Sequence, residues 1–102
     1  MEQAPPAVRR LLKSYDPASL RWAKRNDRYA VVREILLRGD ASAKHWLGTM
    51  LKADQVRELV RAYRGAGSNE PDRARLRNEL GLSNDDIPVR PFVGFRWRRL
   101  SA

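Results

Sequence analysis

The residues best suited to recognition chemistry lie at the C-terminal end of the chain, where arginines alternate with aromatic side chains. Aromatic rings stack on bases or anchor in a protein pocket, and guanidinium groups pair with phosphate or carboxylate. We assign partner binding to seven residues of this segment: Arg90, Phe92, Phe95, Arg96, Trp97, Arg98 and Arg99. In the alternative interpretation, the aromatic side chains of the segment fold back onto the core and its arginines are solvated.

A second candidate surface is the outer face of a helix predicted over residues 55–64. Arg57, Arg61 and Arg64 stand at positions i, i+4 and i+7 of this helix, and Glu58 interrupts the row. If the partner is a nucleic acid, six arginines are the expected phosphate contacts: Arg57, Arg61, Arg64, Arg96, Arg98 and Arg99. A solvated helix face is the ordinary alternative.

Residues 42–64 also invite comparison with a helix-turn-helix motif, because two short helices are predicted there. That motif usually has a glycine in its turn. Here the turn is Leu51-Lys52-Ala53, and Gly48 falls inside the first helix instead. Direct reading of a DNA major groove by this pair is therefore the weaker form of the nucleic-acid hypothesis.

Residues that could support catalysis are few and scattered. His45 is the single histidine, and no cysteine can join it in a metal site or act as a nucleophile. Asp85 and Asp86 are adjacent carboxylates in a segment that is typical of a capped turn. The chain also lacks phosphate-loop and hydrolase motifs. We expect no catalytic residues, no metal, no cofactor and no enzyme activity.

The charge is strongly basic and unevenly distributed. The 102 residues include 21 Lys and Arg against 12 Asp and Glu, a formal net charge of +9. Residues 70–89 carry three basic and five acidic side chains, whereas residues 90–102 carry four basic and none acidic. This excess indicates a nucleic acid or an acidic protein surface as partner. No apolar stretch is long enough to span a bilayer, so we expect a cytoplasmic protein without membrane contact.

Apolar residues at helical spacing predict a series of short helices. The predicted elements are a helix over 7–13, a helical turn over 18–25, and helices over 28–38, 42–50, 55–64 and 72–80. The expected N-terminal caps are Asn26 or Asp27, then Ser42, Asp54, and Ser68 or Asn69 with Pro71. The expected stops are Gly39 in a left-handed conformation, Gly65 with Gly67, and Gly81.

The width of the apolar faces predicts where these helices pack. Helix 28–38 has so broad an apolar face that it should be central and buried on several sides. Met50 and Trp46 should point inward from the next helix, and Leu76 carries the thin core face of the last. The predicted fold is all-α: a compact bundle of four to five short helices with an extended arm that could include a short strand. Residues 1–14 form a helical lead, 15–88 the helical domain and 89–102 the arm.

Residues 15–88 resemble a family of small uncharacterised prokaryotic helical domains. The resemblance rests on four dipeptides: Asp16-Pro17, Gly39-Asp40, Trp46-Leu47 and Gly81-Leu82. Members of that family accompany minimal nucleotidyltransferase toxins, which implies an antitoxin-like role. The family supplies no catalytic residues, and the arm extends beyond the shared region.

These observations lead to one hypothesis and one alternative. In the first, the chain is a non-catalytic, antitoxin-like protein that binds and restrains a cognate protein, such as a nucleotidyltransferase-type toxin, through its arm and the face carrying Arg57, Arg61 and Arg64. In the second, it binds operator DNA or structured RNA through its basic ends. The two roles are compatible, and the sequence leaves open a homodimer.

Overall fold

The structure, a computed structural model, describes residues 4–15 and 19–89. Within them the chain forms five helices and no strand, which confirms the predicted all-α fold. The helices are α1 (Pro6–Leu11), α2 (Arg25–Arg38), α3 (Ala41–Met50), α4 (Ala53–Tyr63) and α5 (Glu70–Leu80). The predicted arm and its short strand lie outside the described residues.

Helix α2 is the central element, as its broad apolar face predicts. It packs against each of the other four helices. Six of its side chains are buried: Tyr29, Val31, Val32, Ile35, Leu36 and Leu37. Around it lie Val8 and Leu12 from the α1 region, Val60 of α4, Leu76 of α5 and Ile87 of the following turn, all fully buried. The core therefore forms around one helix, with apolar residues from the whole described chain.

The start of α2 differs from the prediction. The helix begins at Arg25, with Lys24 at the N-cap position and no side-chain cap hydrogen bond. Neither expected cap is available, because Asn26 accepts a hydrogen bond from the Tyr63 hydroxyl and Asp27 accepts one from the Arg21 N–H at 3.0 Å. Residues 19–24, where a helical turn was predicted, are turns and bends.

Gly39 ends α2, but not in the left-handed conformation predicted for it. Its φ is −76° and its ψ 148°, which is extended backbone that other residues adopt freely. A Cβ atom at this position would lie 2.5 Å from the Ile35 carbonyl oxygen and 3.2 Å from the Ala43 Cβ. A glycine is required here chiefly because a Cβ atom would clash with the last-turn carbonyl of α2, while Ala43 of α3 leaves little room on the other side.

The caps of α3 and α4 also differ from the prediction. Asp40, not Ser42, caps α3, and its carboxylate accepts from the Ala43 N–H at 2.9 Å. Lys52 is the N-cap of α4, so the expected cap Asp54 lies in the first turn instead. Leu47 of α3 is buried. Of the two residues predicted to point inward, Trp46 is half-buried, whereas Met50 is 42% exposed.

Helix α5 follows its prediction closely. Asn69 caps it by accepting from the Asp72 N–H at 3.0 Å, and Gly81 ends it with φ 64°. Leu76 is its one buried residue, which matches the thin core face expected for a peripheral helix. Gly65 and Gly67 follow α4 at positive φ, but the residue that ends α4 is Arg64, itself left-handed at φ 55°.

One buried tyrosine and three partly buried arginines of α2 and α5 hold the loop between α4 and α5 and the turn after α5. The Tyr29 hydroxyl donates to the Ala66 carbonyl at 2.7 Å, and Arg33 Nη1 donates to the Gly67 carbonyl at 2.6 Å. Arg73 donates to the carbonyls of Ser68 and Pro88 at 2.9 Å each. Arg77 donates to the Ile87 carbonyl at 2.8 Å. We call these four side chains the carbonyl clamp: Tyr29, Arg33, Arg73 and Arg77.

Candidate partner-binding cleft

The seven arm residues assigned to partner binding fall outside the described residues. They are Arg90, Phe92, Phe95, Arg96, Trp97, Arg98 and Arg99. The described chain ends at Val89, which is 51% exposed. The assignment to the arm therefore stays a prediction.

The predicted arginine row on α4 separates into two kinds of residue. Arg57 and Arg64 are exposed. Arg61 instead forms ion pairs with Glu58 at 3.0 Å and with Asp86 at 3.1 Å. The structure thus leaves two of the three arginines with unpaired charge within the described residues.

Asp85 and Asp86 serve the turn after α5, in agreement with the turn-stabilising interpretation. The Asp86 carboxylate accepts from the Ser83 N–H at 3.0 Å and from the Ser83 hydroxyl at 3.1 Å. The Ser83 backbone N–H is the main cause of the lowered pKa of Asp86, and the Ser83 hydroxyl and Arg61 act in the same direction. The Asp85 N–H donates to the Ser83 hydroxyl at 3.2 Å. These contacts account for the Asp86 carboxylate without a ligand, whereas Asp85 contributes to the turn through its backbone N–H.

The described part of the chain contains no cluster of side chains suited to bind a metal ion. His45 is an exposed residue of α3. Over residues 4–15 and 19–89, no group of three or more His, Cys, Asp or Glu side chains is arranged to hold a metal ion.

A cleft of about 360 Å³ lies between the start of α2 and one flank of α4. Its lining combines apolar and charged side chains: Arg25, Arg28, Leu51, Gln55, Glu58, Leu59 and Ala62. We call the apolar lining residues Leu51, Leu59 and Ala62 the floor of the cleft, and the other four, which are polar or charged, its rim. The α4 residues of the cleft recur every three or four positions, which places them on one side of the helix.

Contacts between α2 and α4 fix the shape of this cleft. Tyr63 stacks on Tyr29, with ring centroids 4.4 Å apart, and its hydroxyl donates to Asn26. The Arg25 guanidinium lies 5.7 Å from the centroid of the same Tyr63 ring, within range of a cation–π interaction. These contacts hold the first turn of α2 beside the last turn of α4, so the cleft is formed in the folded chain rather than on binding.

The two rims of the cleft differ electrostatically. On the α2 rim, Arg25 contacts an aromatic face and Arg28 Nη1 donates to the Trp22 carbonyl at 3.4 Å, so neither has a carboxylate partner among the described residues. On the α4 rim, Glu58 is the one carboxylate of the lining, and its charge is offset by Arg61. The cleft therefore presents net positive charge above an apolar floor.

An apolar surface lies beside the cleft. Trp22 and Trp46 make an edge-to-face contact, with ring centroids 5.4 Å apart and an interplanar angle of 70°. Both rings are half-buried, and the exposed Met50 lies one turn beyond Trp46 on the same face of α3. Since Leu51 follows Met50 and lines the cleft, these side chains extend the apolar area next to it.

The cleft was not predicted from the sequence, although part of its signal is visible there. Arg25 and Arg28 stand one turn apart at the start of α2, but the predicted helix began only at Arg28. In the sequence, Glu58 is visible only as an interruption of the arginine row. These residues come together only because α2 and α4 pack against each other in the folded chain.

Comparisons of the chain with protein-family models, with curated proteins and with solved structures returned no match. Within the described residues, no helix combines the length and the apolar character that a membrane span requires.

Proposed function

We propose that this chain is a non-catalytic, antitoxin-like protein that binds and restrains a cognate protein, and that the cleft between α2 and α4 is a binding surface for that protein. The observation that carries the proposal is the anatomy of the cleft. An apolar floor surrounded by a polar rim is the arrangement found at protein interfaces. The neighbouring Trp46, Met50 and Arg25 belong to residue types that are enriched there.

The basic arm is the second contact of this proposal. Its arginines and aromatic residues belong to the residue types that most often carry the binding energy of an interface. The partner suggested by the family resemblance is a nucleotidyltransferase-type toxin. A cleft and an arm that act together would give the partner two attachment points on one small domain.

The alternative function is binding of DNA or RNA, and the exposed, unpaired Arg57 and Arg64 favour it. The cleft itself favours a protein, because an apolar floor is poorly suited to phosphate. A substitution that places a long, positively charged side chain on the apolar floor separates the two, since its bulk should block a protein contact, whereas its charge should leave phosphate binding intact or stronger.

The decisive experiment compares the full-length chain with Ala62→Arg, and with Ala53→Arg as the matched control. Both alanines are exposed residues of α4, but only Ala62 lines the cleft. Each tagged protein is used to capture partners from an extract of the native host. We expect the unmodified chain and Ala53→Arg to retain one stoichiometric protein, and Ala62→Arg to lose at least about tenfold in affinity for it, which corresponds to about 1.4 kcal/mol.

Restraint is tested with the captured protein. If that protein arrests growth when it is produced alone, co-production of the unmodified chain or Ala53→Arg should relieve the arrest and Ala62→Arg should not. Equal capture by the two variants would contradict the role of the cleft. Capture of nucleic acid alone, with Ala62→Arg binding as well as or better than the unmodified chain, would favour the alternative.

A further inference from the structure

We infer that the cleft receives an acidic segment of the partner, with aliphatic side chains on the floor and carboxylates paired to Arg25 and Arg28. This inference rests on the proposed function and names the chemistry of the partner. It is argued from the positive charge of the α2 rim, from the ion pairs of the α4 rim and from the charge of the chain's own residues 90–102.

The contacts that the fold makes with Arg25 and Arg28 use only part of the positive charge on the α2 rim. Arg25 and Arg28 lie in the first turn of α2, where the helix dipole disfavours cations. Each guanidinium carries five N–H donors. The contacts made by Arg25 and Arg28 are the Tyr63 ring and one long hydrogen bond to the Trp22 carbonyl. Most of their donors are free for a planar acceptor such as a carboxylate.

The surroundings strengthen the positive charge of this rim. Arg21 and Lys24 are exposed just before α2 and add the same sign. The one carboxylate in residues 21–28 is Asp27, which accepts from the Arg21 N–H. An anionic partner therefore meets several cations on this rim, and Asp27 is the one carboxylate of residues 21–28 that could compete for them.

The opposite rim does not cancel this charge. Glu58 pairs with Arg61, which also pairs with Asp86. Counting these three residues with Arg25 and Arg28 gives three positive and two negative charges, so the cleft and its ion pairs stay net positive. Arg61 thus reduces the repulsion between Glu58 and a carboxylate that approaches Arg25 and Arg28.

The apolar floor favours aliphatic side chains in the remainder of the bound segment. Leu51, Leu59 and Ala62 offer no hydrogen bond from their side chains, and the cleft volume of about 360 Å³ is at the low end for ligand pockets. One or two aliphatic side chains of a peptide match such a floor. The chain's own residues 90–102 are a poor occupant, because their four basic and no acidic side chains repeat the charge of the rim.

The test uses three fluorescein-labelled peptides that share two leucines and differ at the remaining positions, which are Glu, Gln or Lys. Binding to the full-length chain is followed by fluorescence anisotropy. We expect the Glu peptide to bind about tenfold more tightly than the Lys peptide, with the Gln peptide between them. A Glu peptide with serine in place of both leucines should bind more weakly than its parent.

Two double variants assign the preference to the cleft. Arg25→Gln with Arg28→Gln should reduce the preference for Glu over Lys to less than about twofold, since both carboxylate partners are removed. Arg9→Gln with Arg10→Gln removes the same charge from exposed positions of α1 and should keep most of the preference. Thermal unfolding of both double variants verifies that they are folded.

Three outcomes would overturn the inference: equal binding of the Glu and Lys peptides, equal effects of the two double variants, or a labelled DNA duplex that binds more tightly than the Glu peptide and depends on Arg25 and Arg28. If the peptides show no charge preference while Ala62→Arg still loses the cognate protein, the acidic-segment inference is wrong and the proposed function stands. If Ala62→Arg and Ala53→Arg capture equally and no peptide binds, both are wrong.

Discussion

The arginines of the carbonyl clamp and the exposed arginines of α2 and α4 have the same side chain but opposite surroundings. The side chains of Arg33 and Arg77 are 14% and 12% exposed, and they donate to loop carbonyls. Arg25, Arg57 and Arg64 are exposed and reach neither a carboxylate nor a backbone carbonyl within the described residues. The net charge of +9 therefore overstates the number of cations that a partner can use.

The physical reason lies in the geometry of arginine and the needs of the loops. Carbonyls in the loop after α4 and the turn after α5 lie outside helices and have no helical N–H partner, so leaving them buried without a donor costs free energy. A guanidinium carries several donors in one plane and can reach two such carbonyls at once, as Arg73 does with Ser68 and Pro88. A buried arginine can thus be a structural residue although it is charged.

The largest effect should follow from Arg33→Met, which keeps most of the side-chain length and removes the donors to Gly67 and Ala66. We expect the free energy of unfolding to fall by about 2–3 kcal/mol, because hydrogen bonds from a charged group are lost and the two carbonyls lose this donor. Urea denaturation measures the change. The control Arg57→Gln, at an exposed position of α4, should change it by less than about 0.5 kcal/mol. Similar values for both would remove the distinction between the two groups of arginines.

A smaller effect is expected from Tyr29→Phe, which deletes the neutral donor of the clamp. Losing the hydrogen bond to the Ala66 carbonyl should cost about 1 kcal/mol at neutral pH. Burial raises the pKa of the Tyr29 hydroxyl above its usual value of 10.0, although Arg33 and Arg73 act in the opposite direction. The Tyr29 hydroxyl therefore contributes its full stabilisation below about pH 10. This contribution is lost as the pH rises through the pKa of Tyr29 in the folded chain.

This pH dependence is measured by urea denaturation at neutral pH and above pH 10. The unmodified chain should lose more stability on alkalinisation than Tyr29→Phe does. Parallel losses in the two proteins would show that ionisation of Tyr29 is not coupled to folding.

The smallest effect has the opposite sign and concerns an exposed arginine. Arg64 ends α4 at φ 55° and ψ 32°, a conformation that glycine adopts without a steric penalty. We expect Arg64→Gly to raise the free energy of unfolding by about 0.5–1 kcal/mol. In the interior of the same helix, Arg57→Gly should lower it by about 1 kcal/mol. A loss of stability in Arg64→Gly would place Arg64 among the structural arginines.

Helix type and order could be predicted from the sequence because the signal is local. Val56, Leu59, Val60 and Tyr63 repeat at helical spacing, and α4 buries the first three of them while Tyr63 packs against Tyr29. The wide apolar face of α2 likewise predicted its central position. The Asn69 cap and the Gly81 stop of α5 follow from the same short-range chemistry.

Helix starts were predicted less well, because the residues suited to capping found other partners. Asn26 contacts Tyr63, and this pair is 37 positions apart in the chain. Asp27 is used by the Arg21 backbone six positions earlier. No local rule ranks a cap against such competitors. Met50 was predicted inward from the α3 periodicity, but α3 buries only Ala43 and Leu47, and Trp46 stays half-buried.

An all-α chain with a central helix follows from the spacing of apolar residues, because this signal acts over a few positions along the backbone. Which arginines bind the protein's own backbone and which face a cleft depends on how the helices pack. Arg33 reaches Gly67 across 34 positions of sequence, and the cleft exists because α2 and α4 pack side by side. The number of charged side chains is known from the sequence. How many of them a partner can contact depends on which carbonyls and carboxylates the fold brings within hydrogen-bond distance of them.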